Sequence, residues 1–252
     1  MKLLVNPGGN YRFLSGIAPY SSGVVAMPGY EIVRVTLHRP QPYRPGFELI
    51  DRHLQARSRP RQALCAIELR SPKPFTFAGF AEFNQGYQRL LADWELLVEG
   101  HNPIARTNVA PEVQPPAEPV LYAFSYTLPC TKPDRPGTFV IAGAGDLREG
   151  HLSPEAIIRS AETSTEAMRE KAAYVVATMQ ARLTGLQRTW AEVTEVDIYT
   201  VQPVQPFLAA EILPVLGPAA SHGVHWFYSR PPIIGLEFEM DMRGVRREIR
   251  ET

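Results

Sequence analysis

The stretch Thr138-Phe139-Val140-Ile141-Ala142-Gly143-Ala144-Gly145-Asp146 begins the second half of the chain. Its apolar run predicts a buried strand, and its small residues predict a tight turn after that strand. A similar succession of strand and helix patterns lies on each side of it. The sequence therefore predicts an internal duplication, with one domain at residues 1–129 and a second at residues 130–252.

Hydrophobic periodicity predicts the elements of each copy. In the first copy it predicts strands over 31–37, 62–70, 105–110 and 120–128, and helices over 47–57 and 77–98. In the second it predicts a strand over 138–142, a helix from Ser153 to Gly185, a strand over 193–201, a short helix over 207–216, and strands over 224–228 and 233–242. The predicted fold class is α+β, in which each copy is a mixed sheet with two helices packed on one face.

Composition and charge narrow the classes of partner. Lys and Arg together number 26 and so do Asp and Glu, so the 252-residue chain has no formal net charge. This balance gives no excess of positive charge that would bind nucleic acid, and the sequence has no polybasic segment that would bind an anionic membrane. The apolar run within residues 1–7 is too short for a signal peptide or a membrane span, so we expect a cytoplasmic protein whose partner is a small molecule.

Several common catalytic motifs are missing from the sequence. Cys65 and Cys130 lack a C-x-x-C spacing, which favours two reduced thiols over a disulfide or a zinc site. The sequence contains neither G-x-S-x-G nor H-E-x-x-H, which argues against a serine hydrolase and a zinc enzyme. Gly143-Ala144-Gly145 is too short for a dinucleotide motif, and we expect a turn whose bare backbone amides hold a small anion or a carbonyl oxygen.

Four polar residues are candidates for chemistry, and each also has a structural explanation. Arg106 begins a predicted strand among apolar neighbours, so its guanidinium needs solvent, a rim salt bridge or an anionic ligand. Tyr20 fits turn packing, Asn84 fits a helix surface, and Glu237 fits a solvated strand face.

The order of these residues resembles the Rid superfamily of imine and enamine deaminases. The match to a G-x-x-P-Y-x-x-G-V motif comprises Gly16, Pro19, Tyr20, Gly23 and Val24. Further similarities are Asn84 and Tyr87 on a helix, Pro103-Ile104-Ala105-Arg106 at a strand entry, the Phe139 to Ala144 segment, and Leu236-Glu237-Phe238-Glu239 after Pro231-Pro232. The resemblance implies a tandem repeat of two Rid-like domains of chorismate-mutase-like architecture.

The resemblance also implies an activity and a site. A hydrolytic deaminase would release ammonia from a 2-imino or 2-enamino acid, without a metal or organic cofactor. Arg106 would bind the substrate carboxylate and Glu237 would orient water, while the amides near Gly143 and Ala144 would stabilise developing charge. Tyr20 and Asn84 would shape the pocket. Because sites in that superfamily lie between domains of a trimeric ring, we expect a homo-oligomer, a trimer of two-domain chains.

Two-copy members of the superfamily resemble deaminases of 2-aminomuconate and its chlorinated relative in aromatic ring cleavage. A dicarboxylate of that kind needs a second cation, for which His222, Arg230 and Arg34 are candidates. The copies also depart from the family pattern, since the first lacks a Glu on its final strand and the second has His222 where an Arg is expected. Two alternatives therefore stay open: a non-catalytic binding or scaffolding protein, and an isomerase of chorismate-mutase-like architecture.

Overall fold

The computed structural model describes residues 1–130 and 137–251, whose strands form two sheets. The seven-stranded sheet has the order β1-β2-β3-β8-β12-β9-β10, with β1 Leu3–Asn6, β2 Tyr11–Leu14, β3 Gly23–Ala26, β8 Phe139–Gly145, β12 Glu239–Gly244, β9 Glu195–Tyr199 and β10 His225–Phe227. The six-stranded sheet has the order β11-β6-β5-β7-β4-β13, with β11 Ser229–Arg230, β6 Ala105–Pro111, β5 Leu64–Arg70, β7 Val120–Pro129, β4 Tyr30–Pro42 and β13 Arg247–Glu251.

Three long helices cover the outer faces of the sheets. They are α1 Tyr43–Gln55, α2 Phe77–Asp93 and α3 Thr165–Gly185. Shorter helical turns lie at Arg61–Ala63, Pro154–Ala156 and Trp190–Glu192, and a run of them comprises α4 Gln205–Phe207, a π-helical turn Leu208–Ile212, α5 Leu213–Leu216 and Gly217–His222. No helix of the described residues combines the length and apolar character needed to cross a membrane. The cytoplasmic location stays a prediction.

The sheets pack face to face between two helical layers. Helices α1 and α2 share a core with the six-stranded sheet, and α3 shares one with the seven-stranded sheet. A third core joins the two sheets through side chains such as Phe13 and Val24 from one and Ile32 and Ala105 from the other. The layer order is therefore helix, sheet, sheet, helix.

The predicted tandem repeat of Rid-like domains is wrong, because both sheets mix strands from the two halves of the chain. Strand β3 pairs with β8 through the partners Gly23 and Ile141, and the C-terminal strand β13 pairs in parallel with β4. Hydrophobic periodicity predicts which face of a strand is buried but not which strand lies beside it. The predicted boundary between two domains, at residues 129 and 130, stays a prediction, although each sheet contains strands from both sides of it.

Two predicted elements around the opening stretch also differ from the structure. Strand β8 continues through Gly145, so the expected turn at Gly143 to Gly145 is wrong. The helix expected from Ser153 begins at Thr165, where the Ser164 hydroxyl accepts a hydrogen bond from the Ala167 amide. Arg159 and Ala161 have φ values of 47° and 62°, which interrupt any helix over the intervening residues.

Candidate active site

A cavity of about 330 Å³ lies where β6 of the six-stranded sheet approaches β8 and β12 of the seven-stranded sheet. Its walls come from both halves of the chain. The lining includes Tyr20, Phe80, Arg106 and Asn108 from the first half and Gly143, Ala144, Arg148, Arg182, Leu236 and Glu239 from the second. The cavity therefore combines guanidinium and carboxyl groups between apolar walls, as small-molecule sites do.

Arg106 is a buried cation that faces this cavity. Its side chain is on β6, it is 3% exposed, and Nη2 donates a 2.8 Å hydrogen bond to Oδ1 of Asn84 on α2. Nη1 has no hydrogen-bond partner among the described residues. Four aromatic rings surround the guanidinium within 4.9–5.8 Å of its carbon, those of Tyr20, Tyr87, Phe80 and Phe83.

Those rings stabilise the cation without neutralising it. No carboxylate of the described residues forms a salt bridge with Arg106. Burial lowers the pKa of Arg106, but a guanidinium keeps its proton in proteins. A buried charge without a partner is costly, so this side chain is suited to an anion that arrives in the cavity.

Asn108 places a second unpaired donor on the same face of β6, two residues after Arg106. Its Oδ1 accepts a 2.8 Å hydrogen bond from the Ser71 hydroxyl, which orients the amide group. Its buried Nδ2 has no partner in the described part of the chain. Both residues line the cavity, so Nη1 of Arg106 and Nδ2 of Asn108 are two donor groups there without an acceptor among the described residues.

Glu239 is a carboxyl group of the cavity, at the start of β12. Burial raises the pKa of Glu239 well above its ordinary value, and the negative charge of Asp241 raises it further, so this environment favours the protonated form of the acid. A Cβ atom on Gly143 would overlap Oε1 of Glu239. Glycine at position 143 therefore makes room for the carboxyl group against β8.

Buried polar contacts hold the segment that leads into Glu239. Oδ1 of Asp146 accepts hydrogen bonds of 3.0 and 3.2 Å from the amides of Glu237 and Phe238. Its other oxygen is 2.7 Å from Nζ of Lys171 on α3, and both side chains are completely buried. The backbone just before the cavity acid is thus tied to β8 and α3.

Arg182 supports the opposite side of Gly143. From α3 it donates to the carbonyl oxygens of Ala142 and Gly143 at 2.8 and 3.3 Å. It also donates to Oε1 of Glu149 at 2.7 and 3.0 Å. Although Arg182 lines the cavity, its guanidinium is committed to the protein.

Comparison with known proteins identifies the family. The family described as 2-aminomuconate deaminase CnbZ matches residues 3–249. The chain belongs to this family. A 2-amino-5-chloromuconate deaminase of Comamonas testosteroni is 40% identical over 247 residues, which cover 98% of this chain and 97% of the relative.

Two solved structures resemble this family member at 12% sequence identity. A chorismatase gives a TM-score of 0.45 and covers 97% of this chain and 89% of its own. A cyanuric acid hydrolase gives a TM-score of 0.41 and covers 88% of this chain and 70% of its own. Family membership makes the chain an enzyme, a deaminase, rather than a non-catalytic binding or scaffolding protein.

In this member of the 2-aminomuconate deaminase family, four of the predicted site residues line the cavity: Tyr20, Arg106, Gly143 and Ala144. Asn84 lies behind them and holds Arg106. The Gly143 amide is not bare as expected, since it donates a 3.1 Å hydrogen bond to Oγ1 of Thr107.

The other predicted residues lie outside the cavity lining. Glu237 accepts a 3.0 Å hydrogen bond from Gln202, and Glu239, two residues further along, is the cavity acid. Arg230 forms an exposed pair with Glu112 at 2.6 Å, and His222 lies exposed in a helical turn. Arg34 is buried in a pair with Glu68 at 2.6 Å. None of these three residues lines the cavity. A sequence shows that Arg34 and Arg230 are charged but not that glutamates elsewhere in the chain bind them.

Sequence reasoning missed Glu239, Asn108 and Arg148. A signal existed for Glu239, since it is the second acid of the alternating Leu236-Glu237-Phe238-Glu239 segment. The choice between its two acids depends on where the strand begins, and β12 begins at Glu239 itself. Asn108 follows Arg106 by two residues and so shares its face of the strand.

A cluster of Glu195, Asp197 and His225 at the edge of the seven-stranded sheet has ligand atoms close enough for a metal ion. Arg243 already donates to Asp197 at 2.8 Å and to Glu195. A resident guanidinium between the two carboxylates does not fit a cation site.

Proposed function

We propose that the enzyme hydrolyses 2-aminomuconate or a chlorinated analogue and releases ammonia, using Arg106 and Glu239. The observation that carries the assignment is that Arg106, whose Nη1 is unpaired, lines the same cavity as Glu239, a buried acid whose pKa is raised. A 2-enamino acid needs a cation for its carboxylate and a proton donor for its carbon chain, and this pair supplies both.

Arg106 would bind the carboxylate next to the reacting carbon. Its free Nη1 and the nearby Nδ2 of Asn108 offer donors to an incoming acid, while the aromatic rings keep water away from the pair. The bond to Asn84 fixes the guanidinium plane before the substrate arrives. This preorganisation lowers the cost of ordering the site on binding.

Glu239 would act first as an acid. It transfers its proton to a carbon of the enamine, which turns the C–NH2 group into an iminium ion and leaves a carboxylate on Glu239. Water then attacks the C=N carbon and the carboxylate takes a proton from that water, which forms a neutral carbinolamine and restores the acid.

The same group completes the reaction. Glu239 protonates the amine nitrogen, the C–N bond breaks, and ammonia leaves. The carboxylate then removes the hydroxyl proton, which yields the ketone and regenerates the neutral acid. The balance is one enamine and one water consumed, with one ketone and one ammonia formed.

The test is ammonia release by the purified protein from 2-aminomuconate, and in parallel from simple 2-imino acids formed in place by an amino-acid oxidase. We expect Glu239→Gln to lower kcat by about 100- to 10,000-fold, the usual contribution of a general acid–base. The matched control is Glu237→Gln, which changes an acid two residues away that contacts Gln202, and it should keep near-normal activity. Equal loss in both variants would contradict the assignment to Glu239, and a wild-type rate at the spontaneous background would contradict the proposed reaction.

Three finer predictions accompany this function. Membership of the wider Rid superfamily rests on the motif residues from Gly16 to Val24 and stays a prediction. The trimeric homo-oligomer and the cytoplasmic location also stay predictions.

A further inference from the structure

Arg148 is a cation at the exposed side of the cavity that has no ion-pair partner among the described residues. It follows β8, lines the cavity and is exposed, in contrast to the buried Arg106. Within residues 1–130 and 137–251, no salt bridge or side-chain hydrogen bond of Arg148 is present. Its guanidinium is therefore available to a ligand.

The backbone that carries Arg148 is well anchored. The Arg148 amide donates a 3.0 Å hydrogen bond to the carbonyl of Ala156, and its own carbonyl accepts one of 3.1 Å from the His151 amide. The neighbouring Leu147 forms a β-bridge with Ile157. The loop thus holds the Cα atom of Arg148 in place while the side chain stays free.

Glu149, the acid next to Arg148 in the sequence, forms its ion pair with Arg182 and not with Arg148. Glu149 is engaged by two nitrogens of Arg182, at 2.7 and 3.0 Å. Arg182 in turn uses its remaining donor on the carbonyls of Ala142 and Gly143. Three arginines line the cavity. Arg182 is hydrogen-bonded to protein groups, Arg106 has an unpaired Nη1 at the buried end, and Arg148 has no side-chain partner among the described residues at the exposed end.

We propose that Arg148 binds the second carboxylate of the substrate and makes the site selective for dicarboxylates. The inference rests on the proposed function, in which Arg106 takes the carboxylate next to the reacting carbon. A muconate-type acid carries its two carboxylates at opposite ends of a conjugated chain. The cavity offers one free guanidinium in its depth and one at its entrance, with the apolar Leu147 and Leu236 on its walls.

Equilibrium binding of two unreactive acids tests the inference apart from catalysis. Muconate and sorbate have the same conjugated six-carbon chain, but sorbate has a methyl group in place of one carboxylate. By titration calorimetry we expect the wild-type protein to bind muconate about 10- to 100-fold more tightly than sorbate, the effect of one hydrogen-bonded charge pair. Arg148→Gln should bind both acids with the affinity that the wild type has for sorbate.

A matched control removes the same charge elsewhere. Arg89 is exposed on α2 and lies outside the cavity lining, so Arg89→Gln should keep the preference for muconate. Arg148→Lys should restore part of it, because a lysine keeps the charge but loses the planar fork.

The outcomes separate this inference from the function it rests on. Weaker binding of both acids by Arg148→Gln, or an unchanged preference for muconate, would overturn the role of Arg148 even if ammonia is released. A preference for muconate that depends on Arg148 would support the inference even if no ammonia release is found and the proposed reaction fails.

Discussion

The Glu239 carboxyl group occupies the space that a side chain at position 143 would need. Strand β8 thus contributes to the site because Gly143 has no side chain, which leaves space for the Glu239 carboxyl group. A glycine in a strand interior often marks such a close approach.

Replacement of this glycine should disable the enzyme. We expect Gly143→Ala to displace the Glu239 carboxyl group and to lower kcat by at least about 100-fold, as the loss of a positioned general acid would. Gly86→Ala on α2 is the control, since its added Cβ would meet only the ends of Tyr43 and Arg44 at 3.8 and 4.0 Å. Ammonia release measured on both variants decides the matter, and an active Gly143→Ala enzyme would show that Glu239 is not held as described.

Replacement of Asn84 by alanine should impair substrate binding less than replacement by aspartate. Asn84→Ala removes one hydrogen bond to Arg106, and we expect kcat/KM to fall about tenfold. Asn84→Asp keeps an acceptor oxygen but adds a buried negative charge that would pair with Arg106 and compete with the substrate carboxylate. KM should therefore rise further in Asn84→Asp. If aspartate preserved KM, Arg106 would not be the carboxylate site.

The pH dependence of stability should change when Asp241 is replaced. The pKa of Asp241 is raised from 3.8 to about 8, mainly by burial and also by the negative charges of Asp197 and Glu68. The native state then binds a proton that the unfolded state has lost, so this group makes stability fall as pH rises from about 4 to about 8. Asp241→Asn should remove a slope of up to about 1.4 kcal/mol per pH unit.

Urea unfolding at several pH values measures this slope. Asp51→Asn is a control of opposite sign, because the hydrogen bond from Arg61 lowers the pKa of Asp51. Its contribution is present above the unfolded pKa and is lost as pH falls, so Asp51→Asn should weaken the protein at neutral pH more than in acid. Identical slopes in wild type and Asp241→Asn would contradict the raised pKa.

Catalysis should respond to the same replacement. The proposed reaction begins with protonated Glu239, so kcat/KM should fall as pH rises through the pKa of that group. Since the Asp241 charge helps to raise the pKa of Glu239, Asp241→Asn should move this alkaline limb to lower pH. A limb that shifts to higher pH would indicate another titrating group.

The trimer is open to a direct mass measurement. Size-exclusion chromatography with light scattering should give three times the chain mass of 28.1 kDa. A single-chain mass would contradict the prediction.

The sequence by itself determined the local elements and the nature of the chemistry. Hydrophobic periodicity predicted β5, β6 and β7 close to their observed bounds, whereas β4 continues to Pro42, beyond the predicted end at residue 37. The helical stripe predicted the start of α2, which ends at Asp93 and not at residue 98. The motif residues Tyr20 and Arg106 both line the cavity, and their roles in the reaction stay predictions. Such features depend on side chains a few residues apart, which is the range over which periodicity carries information.

Only the tertiary structure decided which strands pair, which acid faces the cavity and which cations are free. The pairing of β3 with β8 joins residues more than a hundred positions apart. The tandem repeat predicted from local patterns therefore does not match the order of strands in the sheets. Glu239 rather than Glu237 faces the cavity because of where β12 begins. Arg34 and Arg230 are bound by Glu68 and Glu112, contacts that distant parts of the chain create on folding.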